Sequence, residues 1–348
     1  MRYRLYTKTS EAWAGMLEAV SGAQKFIYLE SFILADDEQT HRFFEALREK
    51  AVAGVRVKII ADRVGNFGFK SLDKKAFERA GAEVLTFTRW LYRNHRKVLV
   101  VDGETAFIGG VNISRAYADW IDLHVRLTGE LVAPILRSFA RVYELAGGKD
   151  PEVLSLRREP LPKVRKALYE RKERFIAHWP FRGTTALRGY YRKAIAGARS
   201  RVTIVTPYFI PHRWLIRSLA TAMARGVAVE VILPQYSADR LTNMANHAFA
   251  RELHPRITFF FTPTMIHAKV LMVDDREGLI GSNNIDAQSF DFNLEASVVL
   301  RERGVVGDLR RIVADWKASA LTLDAAIGPA RWYDRIAGWF IRPLQPIL

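Results

Sequence analysis

The stretch His95-Arg96-Lys97-Val98-Leu99-Val100-Val101-Asp102 occurs a second time as His267-Ala268-Lys269-Val270-Leu271-Met272-Val273-Asp274, 172 positions further on (95 to 267). Both copies read H-x-K-x-x-x-x-D. The echo continues at the same offset, since Gly109-Gly110-Val111-Asn112 follows the first aspartate as Gly281-Ser282-Asn283-Asn284 follows the second. Alternate side chains of an extended strand share a face, so His95 and Lys97 point one way, as do His267 and Lys269. The apolar runs 98–101 and 270–273 read as buried strands that hold the polar pair at one end. An imidazole beside an ammonium is an anion site with a nucleophile in it. Small residues ahead of Asn112 and Asn284 let the backbone pass close to a ligand, and each carboxamide can donate to an anionic oxygen. A single His-x-Lys could be a chance pair on a strand. Two copies with matching Gly-x-x-Asn offsets point instead to two half-sites that face each other.

Outward from the first motif, the chain alternates helix and strand. Ser10 is a candidate cap for a helix running to about Ala23, with Trp13, Met16, Leu17 and Val20 on one face. A buried strand over 26–33 follows, then a helix over 38–53 that carries Phe43, Phe44 and Leu47 inward and stops at Gly54. Residues 55–62 read as strand, a helix holds Phe77, and 83–88 read as strand again. The second half replays the order: Gly226-Val227-Ala228-Val229-Glu230-Val231-Ile232 echoes residues 54–60 at the offset of the histidines. The expected architecture is therefore α/β, two pseudo-symmetric repeats, each a mixed sheet flanked by helices, with the site at their interface. The boundaries drawn from this are a first repeat over 1–150, a basic linker over 151–183, a second repeat over 184–324 and an amphipathic C-terminal segment over 325–348.

At 348 residues with 49% hydrophobic side chains, the chain can bury a full core. Lys and Arg number 53 against 37 Asp and Glu, a net charge of +16, so the partner is anionic: acidic lipid or nucleic acid. With no cysteine there is neither a disulfide framework nor a thiolate zinc site. No apolar signal core opens the chain and no run of eighteen apolar residues occurs. From Pro162 to Arg182 there are seven basic residues against Glu170 and Glu173, with Phe175, Ile176, Trp179 and Phe181 close by. This stretch is either a solvated linker helix or a basic surface for lipid headgroups. Trp332, Ile336, Trp339 and Phe340 share a helical face between Pro329 and Pro343, and that face either packs on the body or lies among headgroups. Histidines 41, 178, 212, 247 and 254 have no ligand spacing and read as structural or surface residues.

The doubled H-x-K-x-x-x-x-D resembles the signature of the phospholipase D superfamily, over about residues 10 to 320. That resemblance implies a phosphohistidine mechanism with His95 as nucleophile and His267 as general acid and then base. Lys97, Asn112, Lys269 and Asn284 would surround the phosphate, and Asp122 and Glu295 would orient the two histidines. Asp102 and Asp274 belong to the catalytic motif by the same resemblance, although their place after the apolar run suits bracing the strand ends. Asp122-Leu123-His124 matches an Asp-x-His seen in cardiolipin synthases of this superfamily; otherwise His124 is a surface histidine.

Thr206-Pro207-Tyr208-Phe209-Ile210-Pro211, Arg225-Gly226-Val227, Gly281-Ser282-Asn283-Asn284-Ile285-Asp286, Ser289-Phe290 and Asn293-Leu294-Glu295 together resemble bacterial cardiolipin synthases. Gln288 departs from the Arg of many members, and the membrane helices that precede some of them are not seen. The resemblance thus implies a phosphatidyltransferase that makes cardiolipin from phosphatidylglycerol and a second phospholipid. It would need no metal and no cofactor, and would act peripherally on the cytoplasmic face of the bacterial inner membrane. The alternatives are a phospholipase D hydrolase on the same lipids, a superfamily nuclease, and a non-enzymatic polyanion binder. The nuclease is disfavoured because such enzymes are often single-repeat chains, and a mere binder would not need two intact His-Lys sets. The motif does not specify the acceptor, the second lipid or the oligomer.

Overall fold

The computed structural model describes residues 1–67, 72–158, 173–180 and 186–328. The first repeat runs β1 (Tyr3–Lys8), α1 (Thr9–Gly22), β2 (Phe26–Ser31), α2 (His41–Val52), β3 (Arg56–Asp62), α3 (Lys74–Arg79), β4 (Glu83–Phe87) and β5 (Arg93–Asn94). Its motif strand β6 (Lys97–Val101) is followed by β7 (Thr105–Gly109), β8 (Ile121–Thr128), α4 (Val132–Leu145) and α5 (Pro151–Ser155). The second repeat runs β9 (Arg174–His178), α6 (Ala186–Ala196), β10 (Arg201–Val205), α7 (Arg213–Met223), β11 (Ala228–Pro234), α8 (Arg240–Leu253) and β12 (Thr258–Thr262). Its motif strand β13 (Val270–Val273) leads to β14 (Glu277–Gly281), β15 (Asn293–Leu300), α9 (Arg303–Ala318), β16 (Leu321–Thr322) and α10 (Leu323–Ile327).

The first sheet has the order β1-β8-β7-β6-β2-β3-β4, and the second repeats it as β9-β15-β14-β13-β10-β11-β12, with β16 beyond β12 and β5 of the first repeat also on β15. Within each sheet the motif strand's partner and the next two strands (β2, β3 and β4; β10, β11 and β12) run parallel to one another, while the motif strand and the two strands that follow it in the chain pair antiparallel. The expected α/β duplication is the observed architecture. The buried motif strands explain why: Val98, Val100, Val270 and Met272 project into one core shared by both sheets, closed by α4 and α9. Leu99 and Val101 project into a second core under α1, α2 and α3, and Leu271 and Val273 into a third that includes α6, α7 and α8. A strand buried on both faces must be apolar throughout, which is the pattern 98–101 shows. Each such side chain contributes roughly 1.5–3 kcal/mol by its burial.

Three expectations change. The helix expected from Ser10 starts at Thr9 with Lys8 in the cap position and no side-chain cap; the Thr9 hydroxyl donates instead to the Trp120 carbonyl at 3.3 Å. The span 151–183 contains α5 and β9, and β9 pairs with β15 as β1 pairs with β8, so the second sheet begins inside the stretch read as linker. Ile176 and Trp179 are buried there, which removes them from any surface role: Ile176 alternates with His178 into the core from β9, and Trp179, just past the strand, packs into the core shared by the two sheets. Residues 159–172, 181–185 and 329–348, which hold most of the basic run and the Trp332–Phe340 face, lie outside the described residues.

Candidate active site

Each motif histidine is placed by the other repeat. β5 adds to β15 in parallel, with Asn94 opposite Leu294, and the His95 backbone N–H donates to the Leu294 carbonyl at 3.1 Å. In the mirror arrangement the His267 N–H donates to the Ile121 carbonyl at 2.6 Å, and the Ile121 N–H to the Met265 carbonyl at 3.0 Å. These bonds set each histidine against the carboxylate that follows in the partner strand. His95 Nδ1 lies 3.0 and 3.2 Å from the two oxygens of Glu295, and His267 Nδ1 lies 2.8 Å from Asp122 Oδ2. Asp122 and Glu295 are thus both at histidines, crossed between the repeats. With a carboxylate as acceptor, Nδ1 carries the proton and Nε2 presents its lone pair.

The lysines fold back on their own histidines. Lys97 Nζ donates to the His95 carbonyl at 2.6 Å and Lys269 Nζ to the His267 carbonyl, both fully inside the protein. Burial pushes Lys97 down to about 8 and Lys269 to about 7. Burial also lowers both histidines, assisted by the neighbouring lysine, with His267 pushed to about 3. Asp122 and Glu295 stay below the ordinary carboxylate range despite their burial, because the histidine and lysine charges and hydrogen bonds outweigh it. Asn112 and Asn284 complete the set as buried carboxamides whose N–H groups, not their oxygens, are the donors an anion would take, and the Asn284 side chain is also hydrogen-bonded to the Asp286 carboxylate. Two lysines, two carboxamides and two imidazoles, with the two carboxylates engaged behind the histidines at Nδ1, form a cradle for a phosphate-like group.

Asp102 and Asp274, counted in the catalytic set from the sequence, stand elsewhere. Each lies five residues beyond its lysine, roughly 16 Å along an extended strand. Asp102 accepts from the N–H groups of Gln24, Lys25 and Phe26 at 2.7 to 2.9 Å, and Asp274 from those of Arg199, Ser200 and Arg201 at 2.7 to 3.1 Å. They brace the entries to β2 and β10 with positive φ of 55° and 54°. His124 is not a surface residue: it is buried two positions from Asp122, both ring nitrogens lack a partner, and burial pushes it down to about 4.

Several neighbours had no signal in the motif. Phe32 packs edge-on to His95 with ring centroids 4.8 Å apart, and its ring lies 5.2 Å from Lys97 Nζ. Tyr117 and Trp120, from the loop after Asn112, stand 6.3 and 5.4 Å from the His267 ring. Ser282 donates to Glu295, a contact readable only as the Gly-Ser against Gly-Gly difference between the two echoes. Gly110 occupies the equivalent place in the first repeat, where a Cβ would run into the Asp122 carboxylate.

The model of a family described as cardiolipin synthase, PLD-like domain, matches residues 16–139 and 191–316. The chain is 31% identical to cardiolipin synthase A of Pseudomonas fluorescens (strain SBW25), over 87% of its own length and 66% of that protein's. It is 27% identical to cardiolipin synthase 1 of Bacillus anthracis, over 99% of its own length and 72% of that protein's. The chain therefore spans about two thirds of the length of such curated relatives. Among solved structures, phosphatidylserine synthase of Haemophilus influenzae Rd KW20 superposes with a TM-score of 0.77 at 15% identity, covering 99% of this chain and 93% of that one. That likeness extends the shared fold across both repeats.

Proposed function

The chain belongs to the cardiolipin synthase family of phospholipase D-like proteins, and from that premise we propose that it is a phosphatidyltransferase joining phosphatidylglycerol to a second phospholipid such as another phosphatidylglycerol. His95 Nε2 attacks the phosphorus of the first lipid. The P–N bond forms as the P–O bond to the headgroup glycerol breaks, and His267 gives its proton to the departing oxygen. His267 then takes the proton from a hydroxyl of the second lipid, whose oxygen displaces His95 and forms cardiolipin. Lys97, Lys269, Asn112 and Asn284 hold the phosphoryl oxygens, so charge stabilisation comes from the protein without a metal.

The observation that carries this reading is the exchange of carboxylates. Glu295 holds His95 and Asp122 holds His267, each across the repeat boundary, so a nucleophile and an acid-base partner are oriented in one cleft. Both histidines are neutral in the empty site, as a nucleophile requires. The acid role of His267 needs the incoming phosphodiester, whose charge offsets the lysines and raises the imidazole pKa. No helix among the described residues is long and apolar enough to cross a membrane, which fits peripheral work on lipids at the cytoplasmic face of a bacterial inner membrane. The test is incubation of the pure protein with phosphatidylglycerol vesicles and mass analysis of products. Cardiolipin and glycerol in equal amounts are expected. Phosphatidic acid without cardiolipin would mark a hydrolase, and neither product would remove the lipid reading.

A further inference from the structure

In both repeats, the end of the sheet that carries the histidines also carries exposed apolar side chains. β2, β3 and β4 run parallel and Ser31 pairs with Lys97, so the loops leaving β3 and β4 stand at the level of the motif lysine. The first loop presents Val64 and Phe67, the latter 88% exposed, and the second presents Leu91 and Trp90, the latter 92% exposed. In the second repeat β11 ends beside the start of β13, and the chain beyond it presents Tyr236, Leu241 and Met244. Only two other large apolar side chains are exposed among the described residues, Met1 and Val52. Val52 ends α2, beside the start of β3 and so at the opposite end of the sheet.

These loops are tied to the site. Asn66 donates to the carbonyls of Phe32 and Asp62 at 2.9 and 2.7 Å and accepts from the Leu34 N–H at 2.8 Å, which fixes the Phe67 loop to the residue packed on His95. In the second repeat Asn246 donates to the Pro207 carbonyl at 2.8 Å and the Ser237 hydroxyl at 2.9 Å and accepts from the Phe209 N–H at 2.7 Å. Scattered surface apolar residues need no explanation, but a set gathered at one end does. Exposed Arg63, Arg89 and Arg240 stand among them; within these loops the exposed acid Asp239 is engaged as the cap of α8 through the Thr242 N–H at 2.8 Å, and Glu38 of the neighbouring loop after β2 is paired with Arg115.

We propose that this end of the molecule is a membrane-docking face, with the two sets of loops seated in the headgroup layer of an anionic bilayer on either side of the cleft. The proposal rests on the phosphatidyltransferase reading for its partner. A bilayer suits the face better than a second copy of the chain, since a net charge of +16 makes two copies repel while arginines among apolar tips match acidic headgroups. A phosphodiester at the headgroup level then reaches the histidines while its acyl chains stay in the bilayer.

Because the chain has no cysteine, single labels can be placed cleanly. Phe67→Cys, Trp90→Cys, Met244→Cys and Val52→Cys proteins would each carry a polarity-sensitive fluorophore. With phosphatidylglycerol vesicles the first three should shift to the blue and be quenched by spin labels set just below the headgroups, while the label at 52 stays unchanged. A shift at 52 alone, no shift anywhere, or a shift that follows protein concentration without vesicles would overturn the docking face, the last in favour of self-association. In addition, a Phe67→Ser, Trp90→Ser double variant should lose at least about tenfold in vesicle binding and in transfer from vesicles. Its rate on a short-chain phosphatidylglycerol below its micelle concentration should match the parent. An equal loss in both formats overturns the proposal. Transfer absent in both formats even from the parent protein, with the label shifts intact, would instead overturn the transferase reading and leave the docking face standing.

Discussion

The two half-sites descend from one pattern and are not copies of each other. His95 shares the longer Glu295 between two contacts, and that carboxylate is held in turn by Ser282. His267 has the shorter Asp122 at one contact, and the place of Ser282 is taken by Gly110, with no room for a side chain. Between His and Lys the first motif has Arg96, fully buried and 3.0 Å from the equally buried Glu30, where the second has Ala268. The aromatic walls also differ, because Phe32, Tyr117 and Trp120 all come from the first repeat and serve both histidines. Identical motif residues thus sit in unlike surroundings, and in the proposed mechanism it is the surroundings that would decide which imidazole attacks and which carries the proton.

The sharpest way to break that division of labour is to remove the histidines one at a time. His95→Ala should lower turnover by about 10⁴-fold or more and abolish a covalent phosphoenzyme, since no other nucleophile is in place. His267→Ala should also stop turnover but still label when the leaving group needs no proton, as in a nitrophenyl ester. Acid-quenched labelling with such an ester reads the difference. Label on His95→Ala and none on His267→Ala would exchange the two roles.

The carboxylates come next, at about 10²- to 10⁴-fold each in kcat. Because they cross, Glu295→Gln should suppress labelling as His95→Ala does, although Glu295 lies in the second repeat. Asp122→Asn should leave labelling with the activated ester and lose transfer. If each substitution instead copied the histidine of its own repeat, the crossed hydrogen bonds would not describe the working enzyme.

The Arg96–Glu30 pair tests whether the first half-site needs its ion pair for folding. Glu30→Gln leaves a buried guanidinium without its counter-charge and should cost about 3–5 kcal/mol of stability, whereas Arg96→Met with Glu30→Leu should recover most of it. Denaturant midpoints of the single and double variants measure this. A single variant as stable as the parent would show that the pair is not isolated from water. Smaller still, Ser282→Ala removes one hydrogen bond to Glu295 and should lower kcat about tenfold.

How far the sequence could be read follows from where each signal sits. The motif strands were legible because strands buried on both faces are apolar without interruption, and the duplication because its offset of 172 holds from His95 through Asn112. The offset becomes 173 between Asp122 and Glu295, a one-residue shift that marks an irregular connection and hides the correspondence of His124 with Ser297. The crossing of the carboxylates was not legible, because it depends on β5 leaving its own repeat to join β15. β9 was missed because five residues in a basic, proline-punctuated stretch carry too little period to outweigh charge, and their partner lies about 120 positions away. Phe32, Tyr117 and Trp120 belong to loops whose positions are set by packing and by hydrogen bonds from residues far along the chain, Asn66 to the Phe32 carbonyl and Thr9 to the Trp120 carbonyl, which carry no periodic signal.

The finest difference between the halves concerns protons. Lys97 is held down to about 8 and Lys269 to about 7, both by burial, with Lys97 also pushing on Lys269. An unfolded lysine titrates near 10.4, so between about 7 and 10 the unfolded chain binds more protons than the empty folded site. Stability of the empty protein therefore rises with pH across that window, as the cost of burying each ammonium is relieved. An anion in the cradle reverses the sign, because its charge favours the ammonium forms and draws protons from solvent on binding. Sulfate is a suitable probe, having no proton of its own to lose here. At pH 8 its binding should take up about one proton or somewhat more, as calorimetry in two buffers of different ionisation enthalpy would show. Lys269, mostly neutral at that pH, should supply the larger share, and Lys97, near half-protonated, the smaller. Lys269→Met should accordingly remove more of the uptake than Lys97→Met. Equal losses from the two variants would mean that the half-sites do not differ in the charge they hold ready for a phosphate.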